Sequence, residues 1–191
     1  MALPIPHRTF TVDEYYRMGE AGVFGPEERT ELIDGEIIVV TPRGERHASM
    51  VDRLTMLFAR TAGEEVIVRV QNPLRLGIRS EPQPDVTVLR YRDDYYASGH
   101  PGPGDALVVV EVADSSLSFD RGYKRQMYAR AGVREFWLVD AKRGAVTICS
   151  DPGDGDYTKE QEYRRGETWM SAALGGRQIR TADVVGPGPA A

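Results

Sequence analysis

Hydrophobic positions recur along this chain with two spacings, one helical and one alternating. Residues 9–18 predict a short helix, with Thr11 and Glu14 at capping-box spacing. Glu31-Leu32-Ile33 and residues 36–40 flank Asp34-Gly35, a pair that favours a tight hairpin turn. From His47 to Ala62 the period is helical again: His47, Met50, Val51, Leu54, Leu57 and Phe58 share a face, and Gly63 ends it. Residues 66–71 predict a strand closed by Asn72-Pro73, and residues 84–89 a second. Residues 107–113 are apolar on both faces, as expected of a central strand covered on both sides. The polar segment 114–118 leads to a helix from about Asp120 to Ala131, stopped by Gly132. Residues 135–140 and 145–149 predict strands joined through Lys142-Arg143-Gly144. Beyond Ser150 the pattern weakens; residues 157–163 and the stretch around Thr168 and Trp169 are candidate edge strands.

Helices separated by runs of strands imply an α/β (α+β) protein: a mixed β-sheet flanked by helices, with an extra N-terminal hairpin and C-terminal strands. Residues 1–185 suit one domain, and Gly186 to Ala191 read as a disordered tail. No apolar run is long enough to cross a membrane. The N-terminal residues lack the pattern of a signal peptide, so a cytoplasmic location is expected. The single cysteine, Cys149, excludes an internal disulfide and Cys-rich zinc sites, and His7, His47 and His100 lie far apart. Any metal site must be mainly carboxylate, which favours Mg²⁺ or Mn²⁺.

The net charge of −5 counts against a broad nucleic-acid-binding surface. Arg43, Arg46, Arg69, Arg75, Arg79, Arg90 and Arg92 form either one local basic groove or, the favoured reading, a scattered solvated set.

Glu111 stands in the doubly apolar strand, on the face of Leu107, Val109 and Ala113. A buried carboxylate requires a cation, a proton or a metal, because leaving it unpaired costs several kcal/mol. Asp85 follows Pro84 at the start of another apolar strand and reads as a second member of the cluster or as a turn residue. On the later helix Asp120, Lys124, Met127, Tyr128 and Ala131 share a face, so Lys124 points at the sheet unless its stem carries the amine out to solvent. Two carboxylates and a lysine suit metal-assisted phosphodiester hydrolysis, which needs no protein nucleophile. Neither a Gly-x-Ser-x-Gly motif nor a Cys/His pair is evident.

Taken in order, these pieces resemble the Uma2 family of restriction-endonuclease-like proteins, within the PD-(D/E)xK nuclease superfamily. The matching segments are residues 31–36, His47, residues 70–74, residues 81–85, Val110-Glu111-Val112, residues 120–124, residues 128–133 and residues 135–140. The resemblance covers roughly residues 10–150. It implies a restriction-endonuclease-like fold and a Mg²⁺- or Mn²⁺-dependent endonuclease acting on DNA. Asp85 and Glu111 would be catalytic metal ligands, with the carbonyl of Val112 as a third. The superfamily lysine normally lies two residues after the glutamate, where this chain has Ala113; Lys124 is expected to replace it.

Four further residues are candidates. Gln71 would face the site from a neighbouring strand. Glu31 would approach the metal from the hairpin or remain solvated. His47 reads more readily as a satisfied structural histidine, and Tyr128 as a core residue with its hydroxyl near Lys124. A catalytically silent nuclease-fold protein that binds or assembles is the rival reading, and RNA an alternative substrate. A homodimer through the loop at Tyr95-Tyr96 or the strands after Ser150 is a further option.

Overall fold

A computed structural model describes residues 7–40, 44–61, 63, 65–114 and 116–187. Helix α1 (Val12–Glu20) starts at the expected capping box, with Thr11 and Glu14 each satisfying the other's backbone N–H. Strands β1 (Thr30–Ile33) and β2 (Glu36–Val39) form the expected antiparallel hairpin. Its turn residues Asp34 and Gly35 both have positive φ, the geometry of a tight hairpin turn. Gly35 has no substitute there: a Cβ would lie 2.6 Å from that of Thr9. The N–H of Gly35 donates to the Arg79 carbonyl and that of Glu81 to the Leu32 carbonyl, which fastens the hairpin to the body.

Helix α2 (Glu45–Thr61) is followed by β3 (Val66–Val70), β4 (Val86–Arg90) and β5 (Ala106–Ala113). The chain then makes a broken helix: α3 (Leu117–Phe119), a π-turn over Asp120–Lys124, and α4 (Arg125–Arg130). Strands β6 (Glu135–Asp140), β7 (Ala145–Pro152) and β8 (Tyr157–Arg164) complete a six-stranded sheet of order β3-β4-β5-β6-β7-β8. Among the described residues only β5 and β6 pair in parallel, and the broken helix is the crossover that parallel neighbours require.

The central strand is covered on both faces. Val108, Val110 and Val112 pack with Met50, Leu54 and Phe58 of α2, whereas Val109 and Ala113 pack with Met127 and Tyr128 of α4. Glu111 belongs to the second face. Leu107 departs from the expected alternation and packs on the α2 side, because the β4–β5 register slips between Val88 and Leu89.

The stretch at Thr168 and Trp169 is not an edge of the main sheet. It forms β9 (Thr168–Ser171), which pairs with β10 (Arg177–Arg180) in a separate two-stranded sheet. Buried Glu135 holds this hairpin down: its carboxylate accepts from Trp137 Nε1, Ser171 Oγ and the Ala173 amide. A short helix α5 (Thr181–Val185), unexpected from the sequence pattern, packs on α2. The Gly186 carbonyl accepts from Arg165 Nε, and the rest of the expected tail, residues 188–191, lies outside the described residues. Among the described residues no helix is long and apolar enough to cross a membrane.

Candidate active site

Asp85, Glu111 and Lys124 come together between β4, β5 and the π-turn, with 2%, 3% and 7% of their surface exposed. Asp85 directly precedes β4, and its Oδ2 accepts the amide of Val112 at 2.9 Å. Glu111 Oε1 accepts Lys124 Nζ at 2.9 Å and the Tyr128 hydroxyl at 2.7 Å. Lys124 closes the π-turn. A π-turn widens a helix locally and is often found at functional sites.

Two of the accessory candidates are buried beside the cluster. Glu31 is buried rather than solvated, and its Oε2 lies 3.2 Å from Lys124 Nζ. His47 is buried with Nε2 2.9 Å from Asp85 Oδ2, so what satisfies this histidine is the candidate catalytic aspartate. Tyr128 is both a core residue and a donor to Glu111. Gln71 is the exception. It has positive φ, leaves the end of β3, and its Oε1 accepts from Arg29 in a neighbouring groove. For Val112 the observed contact runs through the amide. N–H and C=O of one strand residue point to the same side, so its carbonyl faces the Asp85 side as well.

Asp120 belongs to the cluster and was not singled out as a site residue. It is buried, accepts from the Ser116 hydroxyl and lines the same pocket. Its signal was the helical face shared with Lys124. The helix begins earlier than expected, at Leu117 rather than at about Asp120.

Four buried acids, Glu31, Asp85, Glu111 and Asp120, thus line one pocket with a single buried ammonium, which touches Glu31 and Glu111. Burial raises the Glu111 carboxyl above its ordinary range; Lys124 opposes this, and Asp85, Asp120 and Glu31 reinforce it. Burial likewise raises Asp120, against the pull of Lys124 and Ser116. Desolvation would lower Lys124, but Glu111, Glu31 and Asp120 together hold it above its usual value. The ammonium keeps its proton, and the acids remain in excess.

Such a donor set fits a hard divalent cation, which prefers carboxylate and carbonyl oxygens and would favour the charged form of the acids that burial disfavours. Both hydrogen bonds to Glu111 fall on Oε1, and among the described residues none is made to Oε2. The side chains are nonetheless arranged around Lys124: among the described residues no group of three or more His, Cys, Asp or Glu is already disposed as a ligand set.

The arginines do not converge on this pocket as a basic groove. Arg46 lies 4.0 Å from Asp114, Arg69 bonds Asn72, Arg75 bonds Glu81, Arg90 bonds the Gly104 carbonyl and Arg92 bonds Asp94. Arg43 lies outside the described residues.

The six-stranded mixed sheet, flanked by helices, makes this a mixed α/β protein. A family model described as "Putative restriction endonuclease", Uma2, matches residues 12–182, and the chain belongs to that family. A solved structure from Anabaena variabilis ATCC 29413, described as a "putative nuclease belonging to DUF820", is similar with a TM-score of 0.70 at 14% identity. The match covers 95% of this chain and 98% of that one, and at this identity it carries the fold. No curated protein matches the chain.

Proposed function

We propose that this protein is a Mg²⁺- or Mn²⁺-dependent nuclease that hydrolyses DNA phosphodiester bonds with water as the nucleophile. The observation that carries the reading is the excess of buried carboxylates around Lys124 at the floor of a pocket. Membership of the family supports it.

Asp85, Glu111 and the Val112 carbonyl would hold the ion, which when bound supplies Lewis acidity toward the scissile phosphate. The chain's own groups do the rest. His47 and the Val112 amide fix the Asp85 carboxylate. Tyr128 fixes Glu111 through Oε1. The Lys124 ammonium orients the attacking water or stabilises charge that builds on the phosphate oxygens. Water adds to phosphorus, the bond to the leaving oxygen breaks, and that oxygen takes up a proton. Purified protein is expected to nick or cut DNA with Mn²⁺ or Mg²⁺, and Asp85→Asn and Glu111→Gln to abolish cleavage; undiminished cleavage by both variants refutes the proposal.

A second reading, a catalytically silent protein of the same fold, is favoured by Ala113 at the usual lysine position and by the ion pairs that already engage Lys124. Calorimetric titration with Mn²⁺ separates the two: a nuclease binds the ion through Asp85 and Glu111, and a silent protein does not.

A further inference from the structure

Resting on the nuclease reading, the geometry points to single-stranded nucleic acid as the substrate, with an unpaired base seated against Phe119 and the hairpin residues Ile38 and Val39 while its phosphate reaches the buried acids. Three observations converge on this.

The first is access. The acids form the floor of a pocket of about 230 Å³, and each has almost no exposed surface. A DNA duplex is stiff over roughly 150 base pairs and presents two backbones, so it does not fold one phosphate into a recess of that size. A single strand does.

The second is the wall. Ile38, Val39, Val40 and Phe119 line the same pocket as the carboxylates. Val39 is 61% exposed although it is apolar. The Phe119 ring lies parallel to Tyr123, with centroids 5.6 Å apart and 5° between planes. Tyr123 is pinned in turn by its hydroxyl, which donates to Asp34 Oδ2 at 2.7 Å. Phe119 is therefore a backed aromatic surface, beside an apolar hairpin and continuous with the acid floor. Aromatic faces of this kind bind bases irrespective of sequence.

The third is charge. A protein that tracks a duplex draws its affinity from Lys and Arg on phosphates. Here the chain is net −5, and Arg46, Arg75, Arg92, Arg125, Arg130 and Arg143 are each matched to an acid of the chain itself. Stacking on the pocket wall supplies affinity that a net-acidic chain gains less of from phosphates.

The test measures fluorescence anisotropy of a short fluorescein-labelled oligonucleotide with Mn²⁺ present, either single-stranded or annealed to its complement. Cleavage of both forms is followed in parallel. Single strands are expected to bind about tenfold tighter than duplex, with Phe119→Ala and Val39→Ser each weakening single-strand binding roughly fivefold or more. Phe119→Trp should retain binding, which separates lost stacking from lost folding; Val39 is exposed, so its replacement leaves the core intact. Single-strand affinity should fall less than about tenfold between roughly 50 and 200 mM salt, far less than for a protein that tracks phosphates. Equal or tighter duplex binding, indifference to Phe119→Ala and Val39→Ser, a steep salt dependence, or no binding of either form overturns the inference. Wall-dependent binding without cleavage would refute the nuclease reading alone. Duplex cleavage indifferent to Phe119→Ala would refute the inference alone.

Discussion

Replacing Lys124 with methionine keeps the apolar stem and removes an ammonium that lies 2.9 Å from Glu111 and 3.2 Å from Glu31. Both acids are buried, so the variant leaves charge in the interior without its cation. Breaking a buried pair in this way costs about 3–5 kcal/mol. For a domain of this size that corresponds to a fall in Tm of about 6–20 °C. The loss should depend on pH, with a definite sign. Folded-state pKa values of Glu111 and Asp120 are already raised, so the acids' contribution to stability declines as pH rises. Removing Lys124 raises them further, and the folded variant binds more protons than the folded parent. The destabilisation therefore grows as the pH rises through about 8, where Glu111 of the parent gives up its proton and that of the variant keeps it, and is smallest at acid pH. Urea denaturation followed by tryptophan fluorescence measures it. Trp137 and Trp169 are buried in edge contact on the opposite face of the sheet, so they report global unfolding. A Glu111→Gln/Lys124→Met double variant should recover part of the loss. The reasoning fails if Lys124→Met stays within about 1 kcal/mol of the parent throughout the range, or if the double variant is no better than the single one.

Other consequences can be checked separately. Glu135→Ala strips the acceptor from Trp137, Ser171 and the Ala173 amide and should cost about 2–4 kcal/mol, read by the same urea titration. Gly35→Ala forces a Cβ into Thr9 at positive φ and should cost about 2 kcal/mol or more by thermal melting, loosening the hairpin that carries Glu31. Burial pushes the Cys149 thiol up to about 12, so at pH 8 a thiol reagent should label the native protein only at the rate of unfolding and label it promptly in denaturant. Tyr128→Phe removes the hydroxyl donated to Glu111 and should lower stability by about 1–3 kcal/mol and weaken Mn²⁺ affinity, measured calorimetrically.

Much of the site was legible wherever a local period decides orientation. Residues 107–113 are apolar on both faces, so Glu111 had to be buried whatever packed against it. Lys124 was placed by helical phase, and the π-turn did not spoil this, because one extra residue in a single turn leaves Asp120 and Lys124 on the same side. Glu31 and His47 were harder to read because their partners are distant in sequence: His47 meets Asp85 across 38 residues. All four residues of β1 are buried, although its sequence reads as a half-solvated hairpin; what covers it comes from elsewhere in the chain. Gln71 misled for a conformational reason. A strand pattern carried one residue too far aims its side chain at the site, whereas positive φ turns it away. Helix α5 is only five residues long, too short for periodicity to register.

The central claim is that the buried acids exist to hold a divalent cation beside Lys124. Crystals soaked in Mn²⁺ and measured for anomalous scattering test it directly. The account predicts a peak within coordination distance of Asp85 and Glu111 oxygens and adjacent to the Val112 carbonyl, lost in the Glu111→Gln variant. An acid cluster that shows no peak and keeps the Lys124 contacts to Glu111 and Glu31 unchanged at saturating Mn²⁺ would contradict it.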